Sequence, residues 1–349
     1  MNRMESLLRA TGAALAITAV MAGSAAAQQP APATLKKVNI GILYLLADGG
    51  IFVAKEKGYF AEQGLDVQLN RFTSGADVVA LLATDRLDAG SGGATPGLFN
   101  AYIRGVQAPI VNSKAVLSPL DKSGSNLLIR TDIYESGKVR SAADMKGMKV
   151  VVNNIQSPSL NYVVRGLVKG GLAQSDVTMM EMPFDQFIPA MQRKAVDAVL
   201  AFSPLANTIS DRMKLGVPLP EFSPAVTSTH DTANMMFYSP SFLKSEEGKA
   251  FMVAHLKGIR EYHRAIFDGG DPTEVCGMIR KHLPFIPEKC AGISMSYVNP
   301  DGHVNVESLE RYQNEWVQWG MMRDRANIRA NVDEGPLKYA LEKLGKYQK

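Results

Sequence analysis

The segment LDAGSGGATPG, residues 87–97, decides the fold prediction, because a short strand runs there through glycines into the start of a helix. The glycines resemble a nucleotide-binding loop, but no lysine follows them, and Thr95 stands where the dinucleotide motif needs its last glycine. Ala89 likewise stands where a nucleophile elbow needs its first glycine. The remaining interpretation is a strand, a tight glycine turn, and a helix with Thr95 as N-cap and Pro96 as its first residue. Such a helix end presents unpaired N–H groups that can hold an anion, although many helices begin this way for structural reasons alone.

Strand-like and helical patterns alternate on both sides of this segment. Apolar runs typical of buried strands occupy residues 38–42, 65–69, 149–152 and 196–201, and stretches with helical spacing separate them. This alternation predicts an α/β protein whose mainly parallel sheets are covered by helices on both faces.

The second part of the chain repeats the order of the first. Thr95, Ser157 and Ser203 each follow a predicted strand and stand directly before a proline that opens a helix. Ligands of open parallel sheets bind outside the carboxyl ends of the strands, where helix N-termini gather. Two such domains facing each other would form a ligand cleft there. The alternative is that a serine or threonine followed by a proline simply starts a helix well, as we expect of Ser239 and Pro240.

The N-terminal segment predicts export. Residues 1–27 combine Arg3 and Arg9 with an apolar run too short to span a bilayer and an alanine-rich cleavage site after Ala27. No cysteine follows that site, so a lipoprotein anchor is not expected. Residues 28–35 read as a disordered lead-in. We therefore expect a cleaved signal peptide and a periplasmic protein.

Charge and cysteine content exclude some classes of function. The formal net charge of +4 is spread along 349 residues, without the clustered basic face that nucleic acid requires.

The two cysteines, Cys276 and Cys290, predict a disulfide in an oxidising compartment. No histidine or further cysteine lies at ligand spacing, so we expect neither a metal site nor a cofactor. His282 lies between the cysteines and is expected to be a surface residue.

Five segments together resemble one known family. They are FVAKEKGYFAEQGLDVQL (52–69), SGADVVALLATDRLDAGSGG (74–93), DMKGMKVVVNN (144–154), AVDAVLAF (195–202) and NPDGHVNVESL (299–309). In this order they resemble the nitrate/taurine/alkanesulfonate class of ABC-transporter substrate-binding proteins, over nearly the whole chain after residue 27.

The resemblance implies a type II periplasmic-binding-protein fold, with two doubly wound α/β domains joined by two crossing segments and a ligand cleft between them. Domain one would comprise residues 36–120 and 226–349, and domain two residues 121–225. The resemblance also implies a monomer that captures a small organic anion, a sulfonate or carboxylate, aromatic or aliphatic. It would capture this small-molecule ligand by hinge closure and deliver it to an ABC permease in the inner membrane.

The chain departs from the family pattern at two places. Many members carry D-W-x-P after the first strand and W-E-P after the AVDA strand, where this chain reads LLADGG and AFSP. Phe202 is the one aromatic residue left at the second place. The alternative function is that of a thiamine-precursor pyrimidine-binding protein or a related enzyme of this fold. Because that enzyme carries a cysteine-rich iron site, which a chain with two cysteines lacks, we expect no enzyme.

Sixteen residues are the candidate ligand contacts, at strand ends and helix starts of both predicted domains and at the return crossing. They are Asp48, Ser74, Ser91, Gly92, Gly93, Ala94, Thr95, Asn112, Ser113, Asn153, Gln156, Ser157, Ser159, Phe202, Ser203 and His230.

These candidates carry different alternatives. The 91–95 run is the leading candidate, because glycines let a ligand approach the backbone and the following helix end favours an anion. Asn112 and Ser113, expected at the end of a strand, could instead form a hinge turn. His230 and Asp231 could form a ligand-sensing pair, although an interdomain hydrogen bond is favoured. The 309–319 stripe of Leu, Tyr and Trp is expected to be core packing.

Overall fold

The computed structural model describes residues 34–118, 126–155, 159–202, 205–223, 230–284, 286, 290 and 295–349. The predicted signal peptide lies outside these residues. The strands found within these ranges are β1 Lys36–Ile42, β2 Leu65–Arg71, β3 Ala89–Gly93, β4 Ile110–Leu117, β5 Asn126–Arg130, β6 Lys149–Val152, β7 Thr178–Glu181, β8 Ala198–Ala201, β9 Gly216–Pro218 and β10 Asp231–Tyr238.

The α-helices lie between and after these strands. They are α1 Gly49–Glu56, α2 Tyr59–Glu62, α3 Gly75–Leu82, α4 Pro96–Ile103, α5 Thr131–Glu135, α6 Ser159–Lys169, α7 Phe187–Gln192, α8 Leu205–Asn207, α9 Pro240–Leu243, α10 Glu246–Phe267, α11 Thr273–His282, α12 Val306–Gln318 and α13 Gly335–Leu344. None of the helices in the described ranges has both the length and the apolar character needed to cross a bilayer.

The strands form two five-stranded sheets. The first has the order β2-β1-β3-β10-β4, and the second has the order β7-β6-β8-β5-β9. The strands of the first sheet fall within residues 36–120 and 226–349, and those of the second within residues 121–225. The exact boundaries of the two predicted domains stay a prediction. The α/β fold is confirmed.

The sheets are more mixed than predicted. β1 runs parallel to β2 and β3, whereas β10 runs antiparallel to β3 and β4. In the second sheet β6 is parallel to β7 and β8, and β5 is antiparallel to β8 and β9. The antiparallel strands β5 and β10 are those by which the chain enters each sheet after leaving the other. A strand that arrives by such a crossing needs no helical crossover, so it can pair in the opposite direction.

Each sheet is covered on both faces. In β10, Met236 and Tyr238 belong to one apolar cluster with β1 and α10, while Met235 and Phe237 belong to another with α3, α4 and α12. The alternation follows from the two-residue period of a strand. The second sheet repeats this arrangement, since Val150 and Val152 lie in one cluster and Val151 in the other.

The glycines of residues 90–93 lie inside β3, so the prediction of a tight glycine turn is wrong. β10 arrives from far along the chain and pairs with them, Gly90 opposite Phe237 and Gly92 opposite Met235. A Cβ on Gly90 would lie 2.2 Å from Val78 Cγ1, and one on Gly92 would lie 3.2 Å from the Phe237 ring. These glycines therefore allow α3 and Phe237 to approach the strand closely.

Two packing predictions are confirmed. Leu309, Tyr312 and Trp316 of α12 are buried, and Trp316 packs edge-on against Phe99 with 5.1 Å between ring centroids. Trp319 of the same predicted stripe directly follows α12 and is half-buried against this cluster. Cys276 and Cys290 form a disulfide that ties α11 to the chain that follows it.

His282, expected on the surface, instead stacks on the buried Phe52 ring at 4.5 Å and lies 2.9 Å from Glu56, because α11 packs against α1.

Candidate functional site

Tyr44 and Arg71 lie together beyond the carboxyl ends of β1 and β2. The guanidinium carbon of Arg71 lies 3.9 Å from the centroid of the Tyr44 ring. Arg71 is exposed, and no carboxylate of the described residues pairs with it. Tyr44 has a φ of 54°, a left-handed backbone that bulky residues seldom adopt and that often marks a functional site. A cation stacked on an aromatic face can bind the charge of an anion while the ring contacts an apolar part.

The sequence reasoning missed this pair. The residues are 27 positions apart (71 − 44), and only the parallel register of β1 with β2, which places Ile42 beside Arg71, brings them together. The one signal in the sequence was an arginine at the end of a predicted strand.

Thr95 is an N-cap, as predicted, and Ser74, a candidate at a predicted helix start, is one too. Ser74 Oγ accepts a hydrogen bond from the Ala76 amide at 3.1 Å, and Thr95 Oγ1 accepts one from the Leu98 amide at 3.2 Å. The helices they begin, α3 and α4, start beside the same end of β3, since a Cβ on Gly92 would lie 3.4 Å from Gly75 Cα. Two helix N-termini, each with partly positive N–H groups, therefore open near the Ser91–Thr95 run.

Asp48 and Ser91 are in contact but lie in the interior. Their side chains are 0% and 1% exposed, and Ser91 Oγ donates to Asp48 Oδ1 at 3.0 Å. Asp48 also accepts the Leu45 amide at Oδ2, at 2.8 Å, and forms a buried ion pair with Lys114. Gly93 and Thr95 are half-buried, while Gly92 and Ala94 are buried, and the Ala94 amide donates to the Ala233 carbonyl.

Asn112 and Ser113 lie in the middle of β4, so their prediction at a strand end is wrong. The strand continues to Leu117 because β10 pairs along it. Both side chains are buried, and Asn112 Nδ2 donates to the Ser113 carbonyl at 3.0 Å. Asn112 Oδ1 and Ser113 Oγ have no hydrogen-bond partner in the described part of the chain.

The candidates of the second sheet are described in part. Phe202 directly follows β8, is half-buried, and packs edge-on against Phe184 with 6.1 Å between centroids. Asn153 directly follows β6 and is half-buried. Ser159 is the first residue of α6, and its side chain lies outside the described residues. Gln156, Ser157 and Ser203 also lie outside them.

His230 and Asp231 make different contacts. His230 is exposed, its Nδ1 lies 3.0 Å from Ser118 Oγ, and it lines a cavity of about 240 Å³ together with Thr232 and Tyr297. Asp231 is fully buried and accepts a hydrogen bond from Arg165 of α6 at 2.6 Å. Arg165 belongs to the chain range predicted for domain two. The favoured hypothesis, a hydrogen bond between the two predicted domains, therefore describes Asp231.

Two curated proteins are similar in sequence to part of this chain. A Brucella abortus protein named as a binding protein is 29% identical over 163 residues, which is 46% of this chain and 46% of that protein. The riboflavin-binding protein RibY of Chloroflexus aurantiacus is 24% identical over 55% of this chain and 53% of that protein. This chain thus spans about half the length of the curated relatives it matches.

Solved structures resemble the whole fold. The periplasmic aliphatic sulphonate-binding protein SsuA of Escherichia coli has a TM-score of 0.65 at 17% identity, covering 87% of this chain and 99% of SsuA. The desulfurization enzyme DszB has a TM-score of 0.60 at 14% identity, covering 88% of this chain and 99% of DszB. The family model described as NMT1/THI5 like matches residues 48–264, more than half of the chain. The chain therefore belongs to the NMT1/THI5-like family.

Proposed function

We propose that this chain is the exported solute-binding protein of an ABC importer, which captures a small organic anion with an apolar or aromatic part. The observation that carries this proposal is Arg71, an exposed cation without a carboxylate partner in the described chain, stacked on Tyr44 at the carboxyl ends of the strands. This is where ligands of open α/β sheets bind. Delivery to an inner-membrane permease and location in the periplasm belong to the same proposal.

The anionic group would lie near Arg71 and the starts of α3 and α4. Arginine offers a planar set of donors that matches a carboxylate or sulfonate, and the two helix N-termini add oriented N–H groups. The Gly93 backbone would allow the ligand to approach, as predicted from the sequence.

Exposed apolar side chains at the strand ends support an apolar part of the ligand. Leu45, Ile155 and Phe184 are 44%, 41% and 40% exposed and follow β1, β6 and β7 within four residues of each strand's end. Large apolar groups left in water at the end of a sheet where ligands bind are typical of a binding surface. Phe202 adds a half-buried ring beside Phe184.

Closure of one sheet region on the other would complete the site. Each region would then supply part of the contacts, so the ligand stabilises the closed form by binding it more tightly than the open one. The permease would recognise that closed form. Monomeric behaviour is part of this proposal, because a closing cleft within one chain needs no second copy.

The enzyme alternative has less support. Both cysteines of the chain are joined in the disulfide, so neither offers a thiolate nucleophile or metal ligand. A neutral pyrimidine would also leave the Arg71 charge without a counter-charge. We therefore propose binding without turnover, and without a cofactor.

Calorimetric titration of the mature protein tests the proposal. The compounds are benzenesulfonate, benzoate, hexanesulfonate, nitrate and a neutral aminopyrimidine. We expect an aromatic or aliphatic organic anion to bind, and Arg71→Gln to weaken its binding roughly 10- to 100-fold, the equivalent of one hydrogen bond to a charged group. Arg86→Gln is the matched control, because it removes the same charge from an exposed residue before the amino end of β3. Binding of the neutral pyrimidine alone, or chemical conversion of any compound, would contradict the proposal.

A further inference from the structure

Lys114 is a buried cation on β4 that contacts the turn following β1. Its side chain is 2% exposed, and that of its partner Asp48 is 0% exposed. The Lys114 ammonium also donates to the Ala47 carbonyl at 3.3 Å. Removing an ammonium and a carboxylate from water costs several kcal/mol for each ion, and an ion pair in the interior commonly contributes little net stability. Net stability alone therefore does not account for the presence of the Lys114–Asp48 pair in the interior.

A β-bulge directs Lys114 to this position. Ala115 is paired with Asn234 and Ser113 with Met235, so Lys114 has no partner of its own on β10. A bulge inserts one extra residue, bends the strand locally and re-aims a side chain, and bulges are over-represented next to functional sites. β4 has a second register shift, at Val111, but the buried ion pair occurs at the one that falls on Lys114.

Asp48 connects Lys114 to the turn that follows β1. One carboxylate oxygen, Oδ2, accepts the Leu45 amide at 2.8 Å, while Oδ1 accepts the Ser91 hydroxyl at 3.0 Å and the Lys114 ammonium. This single side chain therefore joins the 44–48 turn to β3 and β4. Tyr44, with its left-handed backbone, and the exposed Leu45 both lie on that turn.

We infer that Lys114 and Asp48 are positioning residues, which hold the 44–48 turn and thereby set where Tyr44 and Leu45 meet the ligand. This inference rests on the proposed function for its ligand, but not for the turn itself. Without Lys114 the buried carboxylate would lose its counter-charge, and the turn would open to hydrate it. The Tyr44 ring would then leave Arg71 for part of the time, and the ligand would bind a site that is only partly formed.

Hydrogen exchange of the Leu45 amide, measured by NMR on the mature protein, tests the inference directly. In Lys114→Met we expect this amide to exchange roughly tenfold faster or more, as expected for loss of a hydrogen bond to a charged group. The β1 amides should keep their rates. Arg260→Met is the matched control, because Arg260 is a 9% exposed arginine paired with Asp301 at 2.7 Å, and its other hydrogen bonds go to residues 300, 344 and 345 rather than to the 44–48 turn. It should lower stability and leave Leu45 exchange and ligand affinity unchanged.

A double variant separates positioning from folding. Asp48→Asn with Lys114→Met leaves no buried charge unpaired, so it should recover a melting temperature near that of the parent even if Lys114→Met alone does not fold. Because it lacks the ionic connection to β4, it should still show faster Leu45 exchange and weaker binding of the anion found in the screen. Parent-like exchange in the double variant would overturn the inference. The exchange measurement needs no ligand, so failure of every compound in the screen would count against the proposed function alone.

Discussion

Arg165 of α6 donates a hydrogen bond to the fully buried Asp231 of β10 at 2.6 Å, and so connects the regions of the two sheets. The same guanidinium contacts both carboxylate oxygens of Glu315 on α12 at 3.0–3.1 Å. Nearby, Trp316 Nε1 donates to Asn161 Oδ1 at 2.7 Å. Because α6 follows a strand of the second sheet while β10 and α12 belong with the first, this junction fixes one side along which the two regions meet.

Arg165→Met should therefore lower the free energy of unfolding. Arg311 would remain as the partner of Asp231, but Glu315, whose side chain is 21% exposed, would lose its contacts with Arg165. We therefore expect a loss of at least about 2 kcal/mol, the value of a hydrogen bond to a charged group. Urea unfolding followed by circular dichroism measures it. Arg140→Met, a change of an exposed arginine stacked on Tyr134, is the control. Equal unfolding midpoints for the two variants would show that the junction adds no stability.

His255 should make the protein sensitive to acid. Burial, with a further contribution from the Lys114 charge, lowers the pKa of His255 to about 3, from an ordinary value of 6.5. The unfolded chain therefore binds a proton that the folded chain excludes between these pH values. The contribution of neutral His255 to the free energy of unfolding is fully present above about pH 6.5. It is lost as pH falls, by up to about 1.4 kcal/mol per pH unit.

His255→Leu tests this pH dependence. Neither ring nitrogen has a hydrogen-bond partner in the described part of the chain, so an apolar side chain can replace the ring without stranding a polar group. We expect a smaller fall in unfolding free energy between about pH 6.5 and 5 than in the parent. His303→Gln, at a side chain that is 52% exposed, should keep the parent's dependence. Parallel stability curves for His255→Leu and the parent would contradict this prediction.

The glycines of β3 should separate into structural and ligand-binding positions. Gly90→Ala places a Cβ 2.2 Å from Val78 Cγ1, so it should cost about 1–3 kcal/mol of stability through overpacking. Gly93 is half-buried at the carboxyl end of the strand, so Gly93→Val should fold and weaken ligand binding by filling the approach to the backbone. Thermal unfolding and calorimetry, applied to both variants, measure the two effects. A Gly93→Val protein that binds like the parent would show that this glycine does not contact the ligand.

Local signals were predictable from the sequence, and long-range ones were not. The caps at Ser74 and Thr95 and the Cys276–Cys290 disulfide depend on neighbouring residues or on residue type, and the structure has each of them. The glycines of β3 were misplaced because their pairing strand, β10, lies about 140 residues further along the chain (231 − 93 = 138). The bulge at Lys114 depends on the same strand, so no pattern near residue 114 could reveal it. The Tyr44–Arg71 contact likewise depends on strand register.

Thr95 and Ser239 form a matched pair for separating helix capping from ligand binding. Each precedes a proline at the first position of a helix, and each side-chain oxygen accepts an amide three residues on, at 3.2 Å from Leu98 and 3.3 Å from Phe242. The capping hydrogen bond is the same in both, so Thr95→Ala and Ser239→Ala should each lose about 1 kcal/mol of stability from it. Ser239 is buried and its Oγ also lies 3.3 Å from Ser241 Oγ, so its variant can lose somewhat more. Only Thr95 lies at the carboxyl end of β3, beside the start of α3.

Ligand affinity should therefore change in one variant of this pair. Thr95→Ala should weaken binding of the captured anion, because the hydroxyl keeps its hydrogen free to donate while its oxygen caps the helix. Ser239→Ala should keep the parent's dissociation constant despite a similar loss in melting temperature. Titration of both variants at the same temperature and pH measures this difference. Equal affinities in Thr95→Ala, Ser239→Ala and the parent would assign Thr95 to helix capping alone and move the anion position towards Arg71.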